Sequence, residues 1–151
     1  MKYGFIKVAS ATNDLKVADV EFNKNSTTIL IDEAISKGVN VILFPELNLS
    51  GVTAGDLFFY DTLITACQNA VVEIADKYSN NDIVIVLGAP IKNNGNIYDV
   101  SIIIYKGEIL GIVPKSNVSS SLSRWFTGYW GDNTTINFAN KMVNFGNELV
   151  F

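Results

Sequence analysis

Residues 39–47 of the chain read VNVILFPEL. The run from Val39 to Phe44 is mostly apolar and contains β-branched residues, which is typical of a strand. Pro45 ends this strand, because proline donates no backbone hydrogen bond and restricts the residue before it. A carboxylate, Glu46, therefore comes directly after a predicted strand.

A helix and another strand are predicted on the N-terminal side of this run. Four side chains between about Val20 and Lys37 fall on one helical face: Thr27, Leu30, Ile31 and Ala34. Gly38 is the residue type that commonly follows the last turn of a helix. The segment from Tyr3 to Ala9 predicts a short buried strand. The order is therefore strand, helix, strand.

The alternation of strands and helices continues after Glu46. Five apolar side chains recur at steps of three or four between about Thr62 and Tyr78, which predicts a second amphipathic helix: Leu63, Cys67, Ala70, Ile74 and Tyr78. Residues Ile83 to Leu87 are all apolar, and such a run predicts a strand that is covered on both faces.

A hairpin is predicted next. Residues Ile97 to Tyr105 and Glu108 to Val113 flank Lys106-Gly107, whose glycine tolerates the positive φ of a hairpin turn. Thr135 to Phe138 and Met142 to Phe151 are interpreted as late strands or their approaches. Alternating strands and helices that give way to a hairpin predict an α/β fold, an α+β mixed sheet with helices packed on it.

Composition limits the classes of function. Hydrophobic residues make up 48% of the 151 residues and charged residues 17%, against roughly 25% charged in an average soluble domain. One packed domain is therefore expected. A net charge of −4 and a pI near 4.7 argue against a nucleic-acid partner. The longest apolar run, Ile83 to Ile91, falls short of the ~20 residues of a membrane helix, so no membrane partner is expected.

The residue types that are absent or rare restrict the chemistry further. The chain contains no histidine, which excludes Ser-His-Asp and Cys-His mechanisms and imidazole-ligated metals. No metal site is expected. The single cysteine, Cys67, cannot form an internal disulfide, and the N-terminus lacks the apolar core of a signal peptide. These features predict a soluble, cytoplasmic protein.

Two charged residues follow predicted strands, Glu46 after Pro45 and Lys115 after Pro114. Strand ends border the crevice in which open α/β sheets bind ligands. We therefore predict that Glu46 and Lys115 lie within several ångströms of each other, although position alone favours two solvated loop charges.

Several short motifs carry a family resemblance: VILFPEL at 41–47, SG at 50–51, KGEI at 106–109 and PK at 114–115. With them the sequence resembles the carbon-nitrogen hydrolase (nitrilase) superfamily. Residues 16–23 and 55–59 are similar to the glutaminase domain of bacterial glutamine-dependent NAD+ synthetases. The similarity spans nearly the whole chain, and it implies part of a nitrilase-type α-β-β-α sandwich.

The resemblance implies a Glu-Lys-Cys triad, in which Glu46 matches the general base and Lys115 matches the lysine near the oxyanion. Such a pair suits a thiol nucleophile, which needs a base and a fixed positive charge. In the family the nucleophilic cysteine follows the lysine, but no cysteine follows Cys67 here. Cys67 itself is predicted to be a buried, unreactive core residue. The expected chemistry therefore lacks its nucleophile.

The segment after Lys115 departs from the family pattern. The family carries an acidic segment before an Arg-aromatic-Phe motif, whereas Ser116 to Ser123 contains no acid and only Arg124-Trp125-Phe126 matches. Three interpretations are open for the aromatic cluster: lining of a substrate pocket, an oligomer contact, or ordinary packing, which is the simplest. The cluster comprises Trp125, Phe126, Tyr129 and Trp130. Asp99, within a strand, is expected to lie on an exposed face or at an edge.

Residues 1–151 are thus interpreted as a single incomplete carbon-nitrogen hydrolase domain, inactive alone, whose apolar end at Leu149–Phe151 predicts a chain cut inside a larger fold. Exposed apolar sheet surface would then favour a homo-oligomer.

Glutamine is the substrate that the resemblance implies, and a synthetase domain or sister subunit is the implied partner. ATP and Mg are expected only in that synthetase domain, with no cofactor in this one. The alternative is a naturally short, non-catalytic binding or assembly module. A nucleotide-binding domain has no phosphate-loop motif to support it.

Overall fold

The computed structural model describes residues 4–151. Its elements are two α-helices, one short 3-10 helix at Gly55–Phe59 and seven strands. The helices are α1 at Val20–Ser36 and α2 at Asp61–Lys77. The strands are β1 at Val8–Ser10, β2 at Val41–Leu43, β3 at Val84–Asn93, β4 at Asn96–Tyr105, β5 at Glu108–Pro114, β6 at Thr134–Phe138 and β7 at Lys141–Phe145.

The seven strands form one mixed sheet in the order β1-β2-β3-β4-β5-β7-β6. Strands β1, β2 and β3 are parallel, β3 to β5 are antiparallel, and β7 runs parallel to β5. The mixed α/β sheet predicted from the sequence is confirmed. The connections β1-α1-β2 and β2-α2-β3 both move along the sheet in the same direction. Because such crossovers are right-handed, they place α1 and α2 on the same face of the sheet. The Tyr78 hydroxyl, just past α2, joins them by donating to the Thr28 carbonyl in α1 over 2.9 Å.

The two faces of the sheet differ in burial. Across β2, β3 and β4, Ile42, Ile85 and Ile104 stand in one row of the register, and each is about 1% exposed beneath the helices. The side chain of the next residue along each strand points to the opposite face of the sheet. On that side, which we call the open face, Val8 is 65% and Leu43 48% exposed. The sheet therefore carries one helical layer and leaves apolar surface on its other face.

Most predicted elements are present, with three corrections. The first strand, predicted from Tyr3, is Val8–Ser10; it lies at the sheet edge and is not buried, while Tyr3 is outside the described residues. The strand after α2 is ten residues long and covered mainly on one face, since Val84 and Val86 are half-buried. The final strand ends at Phe145 rather than continuing to Phe151.

The helices α1 and α2 follow the predicted stripes. All five members of the α2 stripe are buried. In α1, Thr27, Ile31 and Ala34 are buried, whereas Leu30, predicted on the same face, is only half-buried. The Asp19 carboxylate accepts from the Phe22 amide over 3.1 Å and caps α1. Within residues 4–151, neither helix combines the length and apolar character needed to cross a bilayer.

Candidate active site

Glu46 reaches the centre of the open face because its loop crosses β3. Strands β2 and β5 are three inter-strand spacings apart, about 14 Å, so side chains at their ends do not meet unless the backbone bends inward. The loop passes directly over Gly88 of β3. A Cβ at position 88 would stand 2.8 Å from the carbonyl carbon of Glu46 and would also collide with Pro45 and Leu47. Only glycine leaves room for this crossing.

Asn48 fixes the loop after Glu46. Its side chain is 1% exposed. The side-chain Oδ1 of Asn48 accepts from the Gly88 backbone N–H over 2.9 Å, and its Nδ2 donates to the Thr27 hydroxyl over 3.0 Å. Leu47 has a positive φ of 53°, a strained conformation that costs roughly 1–3 kcal/mol and persists only where packing enforces it. Asn48 was not singled out from the sequence.

Lys115 lies just past the end of β5 and forms an ion pair with Glu46. Strands β2 and β5 run in the same direction, so their carboxyl ends share one edge of the sheet. The predicted proximity of the two charged groups is therefore confirmed. Both groups remain accessible, because the Glu46 side chain is 49% and the Lys115 side chain 34% exposed.

Asp99 is the third charged group of the cluster, and the expectation for it was wrong. Its side chain is only 4% exposed, and its Oδ2 lies 3.4 Å from the Lys115 Nζ. The Lys115 backbone amide also donates to the Asp99 carbonyl over 2.9 Å. Asp99 is buried because it stands inside β4, between β3 and β5, where Lys115 and the Glu46 loop cover it.

The cluster shifts the pKa values of its members. The hydrogen bond from Lys115 lowers the pKa of Glu46 below its usual value, against a smaller effect of burial. The same bond raises the pKa of Lys115. Burial raises the pKa of Asp99 to about 6, although the Lys115 charge opposes this rise. Near neutral pH, Glu46 is an ionised carboxylate beside a protonated amine.

The three charged groups line an open cleft of about 270 Å³, together with Val100, Ser101, Val113 and Pro114. An accessible carboxylate can accept a proton, and a neighbouring ammonium can stabilise negative charge that develops on a bound carbonyl. No group of three or more potential metal ligands occurs among the His, Cys, Asp and Glu side chains of residues 4–151.

The Arg124-Trp125-Phe126 segment packs against the 3-10 helix. The Asp56 carboxylate accepts from Arg124 Nε over 2.9 Å and from Trp125 Nε1 over 2.8 Å. Phe58 lies edge-on to Phe126, with ring centroids 4.7 Å apart. Residues 55–59 and 124–126, the two segments that resemble the family, thus contact each other. The aromatic side chains in this part of the chain mostly pack, since Tyr129 contacts Tyr98 and Phe145, whereas Trp130 is 73% exposed.

Cys67 lies in apolar surroundings that differ from those of the charged cluster. It is 0% exposed on the buried stripe of α2, and burial raises its thiol pKa to about 12. The predicted buried position is confirmed.

Cys67 should resist modification in the folded protein. A thiolate is the reacting species, and burial both excludes the reagent and disfavours the thiolate. With a thiol reagent at pH 7.5, labelling of the native chain should be at least about a hundredfold slower than in denaturant, where the cysteine pKa is near 8.5. Comparable rates in the two conditions would contradict the buried, unreactive assignment.

Residues 7–146 match the carbon-nitrogen hydrolase family. The chain belongs to this family. Among curated proteins it is similar to the glutamine-dependent NAD(+) synthetase of Mycobacterium bovis, with 29% identity over 99% of this chain and 23% of that protein. The Mycobacterium leprae enzyme of the same name is 35% identical over 75% of this chain and 17% of that protein. This carbon-nitrogen hydrolase chain thus spans less than a quarter of the length of these relatives.

Solved structures give the same fold. The glutamine-dependent NAD(+) synthetase from Cytophaga hutchinsonii superimposes with a TM-score of 0.87 and 27% identity, covering 93% of this chain and 25% of that one. An amidase from Nesterenkonia sp. has a TM-score of 0.73 at 14% identity, over 92% of this chain and 54% of that one. The similarity to the amidase shows that this carbon-nitrogen hydrolase chain shares its fold.

Proposed function

We propose that the chain is part of the glutamine amidohydrolase domain of a cytoplasmic, glutamine-dependent NAD+ synthetase, where it supplies the general base and the oxyanion-stabilising lysine. The ion pair of Glu46 and Lys115 in an open cleft carries this proposal. The similarity to NAD(+) synthetases over nearly the whole chain supports the choice of glutamine as substrate. ATP and Mg would act in the synthetase domain, outside these residues.

In the proposed reaction, Glu46 accepts the proton of an attacking cysteine thiol, and the sulfur bonds to the amide carbon of glutamine. Lys115 stabilises the negative charge on the amide oxygen. Glu46 then donates its proton to the departing nitrogen, so that ammonia leaves as the C–N bond breaks. Glu46 then deprotonates a water molecule, which attacks the thioester carbon, and the C–S bond breaks to give glutamate. Glu46 returns the proton to the departing sulfur, which regenerates the thiol and the carboxylate. Lys115 keeps its proton throughout, consistent with its raised pKa.

The thiol itself must come from elsewhere, because the sequence has no cysteine after Cys67 and Cys67 is buried in α2. A thioester mechanism needs the sulfur as well as its base. We therefore propose that these 151 residues alone are inactive and that activity requires a cysteine-bearing partner region, in a synthetase chain or in an assembled oligomer.

The test compares the isolated chain with a chimera. The isolated chain should release no ammonia from glutamine above background. In the chimera, this chain replaces the matching quarter of the Cytophaga hutchinsonii synthetase, and glutamine-dependent NAD+ formation should appear. Glu46→Gln should reduce that activity by at least about 10³-fold, since it removes the base.

Ammonia-dependent NAD+ formation by the same chimera is the internal control, because it reports an intact synthetase domain and should not change with Glu46→Gln. Turnover by the isolated chain that survives Cys67→Ala would contradict the missing-nucleophile argument. A chimera that uses ammonia but never glutamine would favour the alternative of a non-catalytic binding or assembly module.

A further inference from the structure

Asp99 contacts Lys115 at both ends of the lysine residue. The Lys115 backbone amide donates to the Asp99 carbonyl over 2.9 Å, which extends the ladder between β4 and β5 by one bond. The Lys115 ammonium lies 3.4 Å from the Asp99 carboxylate. Asp99 thus fixes the backbone of Lys115 and also attracts its ammonium group. Glu46, by contrast, contacts only the ammonium.

The two carboxylates beside Lys115 differ sharply in exposure. The Asp99 side chain is 4% and the Glu46 side chain 49% exposed. Burying an ionised carboxylate is costly unless a cation compensates it, and within residues 4–151 Lys115 is the cation that lies within 4 Å of Asp99. The exposed Glu46 can exchange protons directly with a bound ligand, whereas Asp99 is enclosed behind Glu46 and Lys115.

We infer that Asp99 is a positioning residue, a second counter-ion that keeps the Lys115 ammonium in place near neutral pH while Glu46 gains and loses its proton. This inference rests on the proposed function, because the proton cycle of Glu46 belongs to it. Each time Glu46 becomes neutral, Lys115 loses one of its two negative partners. A lysine held by Glu46 alone would then be free to swing into the solvent.

The groups that face Lys115 are few. Glu46 reaches it from the loop after β2, and Asp99 reaches it from β4. Opposite Asp99, β3 contributes Pro90, and β5 contributes Val113 and Pro114, none of which titrates. Since burial raises the pKa of Asp99 to about 6, the counter-ion is charged above that pH and is lost below it.

The test uses the substitution Glu46→Gln, which imitates the protonated state of Glu46, in the 151-residue chain. The pKa of Lys115 is measured by NMR titration of its side-chain nitrogen. In Glu46→Gln it should fall from the wild-type value but stay above that of Glu46→Gln/Asp99→Asn, in which both negative partners are gone. A carboxyl titration near pH 6, present in the wild type, should disappear in Asp99→Asn.

The matched control is Asp82→Asn, which makes the same chemical change in another ion pair. Asp82 lies 3.4 Å from Lys106, the same separation as in the Asp99 pair, but its side chain is 79% exposed. In the double variant Glu46→Gln/Asp82→Asn, the pKa of Lys115 should equal its value in Glu46→Gln alone. Equal Lys115 pKa values in Glu46→Gln and in the double variant with Asp99→Asn would overturn the inference.

A second variant covers the case in which Asp99→Asn fails to fold. Lys115→Gln alters a partly exposed side chain and leaves Asp99 intact. Because the Lys115 charge holds the pKa of Asp99 down, the carboxyl midpoint near pH 6 should move upward in this variant, and an unchanged midpoint would overturn the inference. These titrations involve no turnover, so they stand even if the chimera never uses glutamine.

Discussion

Gly88→Ala should destabilise the protein by about 3 kcal/mol, the upper part of the range for overpacked sites. The added methyl group would meet the backbone of Pro45, Glu46 and Leu47, and its ideal position lies 2.8 Å from the Glu46 carbonyl carbon. Backbone atoms cannot rotate away as a side-chain tip can. The loop must therefore lift, and Glu46 should lose its contact with Lys115. Urea denaturation measures the first effect.

The loss of the Glu46 contact can be measured separately in Gly88→Ala. The pKa of Lys115 is raised chiefly by the Glu46 hydrogen bond, so it should fall when the loop lifts. Ser101→Ala is the matched control, because Ser101 pairs with Gly88 across the strands and is exposed. Its effect should stay within about 0.5 kcal/mol. A Gly88→Ala protein as stable as the wild type would contradict the crossing of β3 by the loop.

Phe58→Ala should cost about 4 kcal/mol in the free energy of unfolding. Phe58 is 0% exposed, and deleting a buried phenylalanine ring typically costs about 3–5 kcal/mol. The ring also makes an edge-on contact with Phe126 and lies 6.2 Å from Trp125. Its removal should loosen the Arg124-Trp125-Phe126 segment from the 3-10 helix. Denaturant titration with tryptophan fluorescence as the probe reports stability and the environment of Trp125 together.

The adjacent residue provides the control for Phe58→Ala. Phe59 has the same chemistry but is 50% exposed, so Phe59→Ala should cost at least about 2 kcal/mol less than Phe58→Ala. Equal effects at the two positions would show that general loss of apolar surface, rather than the buried aromatic contact, decides the stability.

Local patterns predicted the helices and one hairpin well. The stripe of α2 was correct at every position because a repeat of 3.6 residues is set within one segment. The Lys106-Gly107 turn has φ values of 47° and 81°, as a two-residue hairpin turn requires. The hairpin of β3 and β4 was missed, although Asn94-Gly95 has φ values of 48° and 80°. An Asn-Gly pair between apolar runs is a strong hairpin signal that the sequence does contain.

Burial that depends on distant segments was not predictable from local patterns. The apolar residues near the N-terminus suggested a buried strand, but β1 lies at the sheet edge and Val8 is exposed. Asp99 suggested an exposed residue, yet two flanking strands and the Glu46 loop cover it. Glu46 and Lys115 were singled out because each directly follows a predicted strand and because both match motifs of the family. Gly88 and Asn48 position the Glu46 loop through contacts between segments that are distant in sequence, which local patterns do not reveal.

The charged cluster joins contacts of very different range along the chain. Lys115 and Asp99 are 16 residues apart and are brought together by a single hairpin, whereas Lys115 and Glu46 are 69 residues apart. Closing the longer loop carries the larger entropy cost, and contacts of high sequence separation form more slowly than local ones. We therefore expect the ammonium and its buried counter-ion to come together first during folding, and the base to arrive when the parallel strands close.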